Sequence, residues 1–92
     1  MISLYHYKEG SSDKIWGWLK TEEGALSFWG RSKGTLAFKV YGSVYEVTKV
    51  ERTKRDKGYR FVSSNSDASN NILPDDFDGQ LLLAKLGQVK FA

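Results

Sequence analysis

Apolar and polar positions alternate from the first residues of the chain. Across Ile2-Ser3-Leu4-Tyr5-His6-Tyr7-Lys8 the pattern predicts a half-buried strand over residues 2–8, and Gly10-Ser11-Ser12-Asp13 supplies a turn. Lys14 to Leu19, rich in Trp and Ile, predicts a second strand. Glu22-Glu23-Gly24 reads as a hairpin turn, and Ala25 to Trp29 resumes the alternation with Leu26 and Phe28 on one face. These three strands form an antiparallel meander. After Gly30, Ser32, Lys33 and Gly34, Thr35 to Val40 again spaces β-branched and aromatic residues by two and predicts a fourth strand.

At Tyr41 the period changes. Tyr41, Val44, Val47 and Val50 recur every three residues, with Glu46, Lys49, Arg52 and Asp56 on the opposite side of a helical wheel, which predicts a short amphipathic helix although its three valines favour strand. Ser43 fits the N-cap with Glu46 completing a capping box, and Gly58 after a Lys- and Arg-rich last turn ends it. Tyr59 to Val62 is a short returning strand. Strands and a helix of these lengths make the class α+β.

The next segment, 63–71, is almost wholly Ser, Asn, Asp and Ala and reads as a linker or long loop. Residues 72–92 then form an apolar tail behind Pro74-Asp75-Asp76, carrying Leu81, Leu82, Leu83, Leu86, Val89 and Phe91. Such a tail is too short to fold alone and too apolar to stay in water, so it is expected to dock on domain 1–62 or on a second copy.

Ninety-two residues suffice for one core but not two, and a domain this small leaves little room for a deep catalytic cleft. Cysteine is absent, which excludes disulfides, thiolate nucleophiles and cysteine-bearing zinc sites. The sequence shows no 18-residue apolar run and no signal-peptide layout, so no membrane association and a cytoplasmic location are expected. The lone His6 supports no catalytic triad or histidine-rich metal set. Asp76-Phe77-Asp78-Gly79 fails as a calcium loop because Pro74 and Lys85 occupy required acid positions. Gly30-Arg31-Ser32-Lys33-Gly34 lacks the spacing of a phosphate loop. A non-enzymatic binding module without metal, cofactor or small-molecule substrate is expected.

Charge distribution narrows the partner. The chain carries +3 overall, but residues 1–62 hold twelve cations against seven acids, a surplus of five, and residues 63–92 hold two against four. The basic part is also the aromatic part, the combination of a polyanion-binding surface. Lys49, Arg52, Lys54, Arg55, Lys57 and Arg60 line the helix and its exit, where a solvated helix face is the plainer explanation. The neighbouring Trp29 and Tyr59 favour a polyanion site.

Trp29-Gly30-Arg31 closes a predicted strand, downstream of Tyr7-Lys8-Glu9-Gly10-Ser11-Ser12-Asp13-Lys14-Ile15-Trp16 and upstream of Lys57-Gly58-Tyr59. In this order, over residues 4–62, the three segments resemble the WGR domain family, in its bacterial stand-alone branch. The resemblance implies a twisted antiparallel sheet of about four strands carrying one helix. It also implies DNA-end binding, as in the break-sensing poly(ADP-ribose) polymerases that contain such domains. The expected nucleic-acid site comprises Trp29, Gly30, Arg31, Lys33, Lys54, Lys57 and Tyr59. Trp29 either stacks on a terminal sugar or base or packs the sheet, and Arg31 either forks onto phosphate or holds the loop. Gly30 lets the backbone turn or approach a partner closely. A carboxylate at Asp13 near nucleic acid would repel phosphate. The competing expectation is a protein-interaction or self-association module using the same loop and the apolar tail.

Overall fold

The computed structural model describes residues 2–62 and 71–87. β1 (Ile2–Glu9) and β2 (Ser12–Lys20) form a hairpin closed by two residues, with Gly10 left-handed at φ 59° where a side chain would be strained. β3 (Ala25–Arg31) follows a turn in which the Thr21 amide donates to the Gly24 carbonyl at 3.0 Å and the Gly24 amide donates back at 3.3 Å. β4 (Ala37–Tyr41) completes the meander. α1 (Val44–Asp56) then crosses the sheet and delivers β5 (Arg60–Val62) to the far edge, beside β1. The sheet order is β4-β3-β2-β1-β5, antiparallel throughout. α2 (Phe77–Lys85) is the last described element.

The fold is α+β: the returning strand expected over 59–62 is β5, which brings the sheet to five strands, and a second helix stands beyond the one expected. The reason lies in the strands themselves. Ile15 and Leu19 of β2 point to one side and Trp16 and Trp18 to the other, so both faces of the sheet are apolar and each needs a cover.

α1 covers the first face. Ser43 caps it, its Oγ accepting from the Glu46 amide at 3.3 Å, and Val47 is fully buried with Val44 and Val50 packed beside it against Tyr5, Trp16 and Ala25. Polar groups then fasten helix to sheet. Glu51 Oε2 accepts from the Tyr5 hydroxyl at 2.8 Å and from Trp18 Nε1 at 3.0 Å, while Arg55 donates to the Tyr5 oxygen at 2.8 and 3.1 Å.

Segment 71–87 covers the second face. Ile72, Phe77, Leu81 and Ala84 are buried among Leu4, Ile15, Leu19, Leu26, Phe28, Leu36 and Phe38, so one core spans the expected boundary between domain and tail. Phe77, Leu81 and Ala84 share a helical stripe, i, i+4, i+7. The Lys33 amide donates to the Ile72 carbonyl at 2.7 Å, and the Leu36 amide donates to Gln80 Oε1 at 2.8 Å, which stitches this layer to the β3–β4 connection. Most of the expected linker and the residues after Gly87, with Val89 and Phe91, lie outside the described residues.

The clasp at Tyr5, together with the burial of Tyr59, makes stability fall at alkaline pH. Burial first, then the hydrogen bond to Glu51, pushes the Tyr5 hydroxyl above its ordinary value, and burial does the same for Tyr59. With the folded pKa raised, the native chain keeps protons that the unfolded chain loses above about pH 10. This stabilisation is complete below that pH and is lost as pH rises through the folded values. Urea midpoints between pH 8 and 11.5 should therefore fall above pH 10, and less steeply in Tyr5→Phe. Equal slopes for parent and variant would remove Tyr5 as a source of the loss.

Candidate nucleic-acid interface

Strand register builds the site. Tyr7 of β1 lies opposite Lys14 of β2, and Lys14 opposite Arg31 of β3. By alternation from Tyr5, Trp16 and Trp29, all three side chains stand on the α1 face, in one row across three strands. α1 runs diagonally from the end of β4 towards the end of β1, so its last turn arrives beside this row. There the chain leaves through Gly58, which is left-handed at φ 107° and lies against the Tyr7 ring, and Tyr59 follows with its amide donating to the Lys54 carbonyl at 3.0 Å.

Cations therefore converge. Lys14 and Arg31 are paired across strands without an acid between them, an arrangement that costs stability. Lys54 is partly buried, and desolvation, then Lys57, then Lys14, lowers its pKa. Its Nζ lies 5.2 Å from the centre of the Tyr59 ring, and the Tyr59 and Tyr7 rings are 5.1 Å apart. The nearest acid in the strand pattern is Glu9, one alternation beyond Tyr7, which accepts from the Tyr7 hydroxyl at 2.9 Å.

Of the residues expected from sequence, Arg31, Lys54, Lys57 and Tyr59 come to this end of the α1 face. Trp29 stands one row inward, opposite Trp16, half-buried and packed on the α1-face core. It is part of the wall as much as of the surface. Gly30 is needed for close packing, since a methyl there would stand 3.0 Å from the Thr35 carbonyl oxygen and 3.2 Å from a Leu36 methyl. Lys33 is directed elsewhere. It adopts a left-handed conformation at φ 65°, and its ammonium reaches Asp75 at 3.1 Å, in the layer covering the other face.

Tyr7 and Lys14 were absent from the expected set, because only strand register puts them beside Arg31. Asp13 is turned away from the row. It shares the α2 face with Ile15, and its Oδ1 accepts from Ser32 Oγ at 2.5 Å and pairs with His6 Nε2 at 2.6 Å. These bonds, Ser32 first, hold its carboxyl below the ordinary range, so it is ionised but spent on the β3–β4 turn.

A cavity of about 560 Å³ lies at the opposite end of the strands, between Lys20–Glu23 and the end of α2, with Leu26 and Val40 in its wall. Among the described residues no group of three or more His, Cys, Asp or Glu is arranged to hold a metal, and no helix is long and apolar enough to cross a membrane. No family model, curated protein or solved structure matches the chain.

Proposed function

We propose that this chain is a binding module for nucleic acid, of low sequence specificity, that engages DNA ends through the α1 face. The observation that carries the reading is the row Tyr7, Lys14, Arg31 meeting Lys54 and Lys57 at the end of α1. Clustered cations repel one another, and a polyanion relieves that repulsion while releasing its own counterions. Aromatic rings among the cations suit sugar and base. The resemblance to WGR domains supports the same reading, because Trp29, Arg31, Lys57 and Tyr59 belong to the segments that carry it. In this reading Lys14, Arg31, Lys54 and Lys57 contact phosphate, Trp29 and Tyr59 supply the apolar wall, and Lys33 serves the fold.

The test is affinity against salt for a short linear duplex and for a closed circle of the same sequence. Linear duplex should bind more tightly. Arg31→Gln should reduce the slope of log affinity against log salt by about 1, the loss of one phosphate contact. Binding indifferent to salt, or equal for circle and linear DNA, would sink the end-binding reading.

A second reading, contact with another protein or a second copy, draws on a different place. Leu82 and Leu83 of α2 and Leu86 at its C-cap are 57, 54 and 66 % exposed. That surface lies across the sheet from the cation row, and its contacts should persist in high salt.

A further inference from the structure

Tyr7 and Tyr59 sit at the margin of the sheet. β5 pairs with β1 only through Leu4, Tyr5 and His6, so in the described residues β1 has no β5 partner from Tyr7 outward. Beside that stretch run Gly58 and Tyr59, and the two tyrosine rings meet at 5.1 Å with their planes 34° apart, both half-buried. Neither ring belongs to the fully buried core. Lys54 lies over the Tyr59 ring. The pair ends the row of Lys14 and Arg31 on the edge side, where a strand following the cations would leave the protein.

We infer that the Tyr7–Tyr59 pair is a stacking site for an unpaired base, so that the ligand is a nucleic-acid end carrying a single-stranded overhang. This rests on the nucleic-acid reading above. A duplex keeps its bases stacked on one another and offers aromatic side chains only its terminal pair. An unpaired nucleotide can place its base on a tyrosine while its phosphates remain among Lys14, Arg31, Lys54 and Lys57. Strand spacing of about 4.8 Å makes the row from Tyr7 to Arg31 roughly 10 Å long, the scale of a few nucleotides and much shorter than a duplex footprint.

The experiment compares three DNAs with the same duplex, using the intact chain and fluorescence anisotropy. One end is blunt, one carries a four-nucleotide overhang, and one carries an overhang of four abasic nucleotides with the phosphates retained. The natural overhang should bind about tenfold more tightly than the blunt end, the gain from one stacked base. The abasic overhang should lose most of that gain. Tyr7→Ala and Tyr59→Ala should lower the ratio of overhang to blunt affinity, and Tyr7→Phe and Tyr59→Phe should retain it, whereas a merely structural role would lower both affinities together. Equal affinity for natural and abasic overhangs overturns the stacking inference, since phosphates alone would then explain binding, and leaves nucleic-acid binding intact. Failure to bind any of the three in low salt overturns both. The comparison of ligands uses unaltered protein, so it decides whether an unpaired base is stacked even where an alanine variant unfolds.

Discussion

Truncation after Val62 should abolish the cooperative unfolding transition. Such a chain keeps all five strands and α1, and with them every segment of the WGR resemblance. It loses Ile72, Phe77, Leu81 and Ala84, which cover Leu4, Ile15, Leu19, Leu26, Phe28, Leu36 and Phe38. Each of the larger side chains costs about 1.5–3 kcal/mol to return to water. Uncovering even half of that surface consumes most of the 5–15 kcal/mol by which a domain is stable. The expected product binds hydrophobic dye, melts without a defined midpoint and aggregates. Phe77→Asp in the full chain should move the same way, because it puts a charge against Phe28, whose ring lies 5.1 Å away, edge to face. A truncated chain with the parent's urea midpoint would mean that segment 71–87 contributes nothing to the core.

The second large effect concerns Gly17 and Phe28. The Phe28 ring lies over the backbone of β2 at Gly17, where an added methyl would overlap the ring and stand 2.9 Å from the Ser3 carbonyl oxygen. Phe28 is fully buried and also touches Phe38 and Phe77. Phe28→Ala should therefore destabilise by about 3–5 kcal/mol through lost burial and the cavity left behind. Gly17→Ala alone should cost about 1–3 kcal/mol through overpacking. Together the two should cost less than their sum, since removing the ring frees most of the space the methyl needs, although the Ser3 carbonyl stays close. Urea denaturation of the parent, both single variants and the double variant completes the cycle. Strict additivity would show that ring and glycine are not in contact.

The strands, the turn at Gly24 and the cap at Ser43 were legible in the sequence because each depends on neighbours within about four residues. The valines of α1 were legible for the same reason, although their β-branched chemistry pulled the other way and packing on Tyr5 and Trp16 decided the outcome. The second helix was not. Leu81, Leu82 and Leu83 are consecutive, so no single apolar stripe marks an element, and only the bare face of the sheet determines that Leu81 turns in while Leu82 and Leu83 remain outside. The site divides along the same line. Arg31, Lys57 and Tyr59 were grouped through the segments of the WGR resemblance and Lys54 through the basic run beside Tyr59, whereas Lys14 and Tyr7 join them only through pairings between distant parts of the chain. Lys33 was grouped with Arg31 by proximity in sequence. A left-handed turn at a lysine, which sequence does not reveal, sends it to Asp75.

The order in which the two covers occur along the chain bears on how the protein is made. α1 follows directly on the meander, so during synthesis the face with Tyr5 and Trp16 can close as soon as residue 56 is available. The face with Leu4, Phe28 and Phe38 must wait for the last described helix. Until then the nascent chain presents an uncovered apolar sheet, the state most prone to association with other unfinished chains and to capture by chaperones.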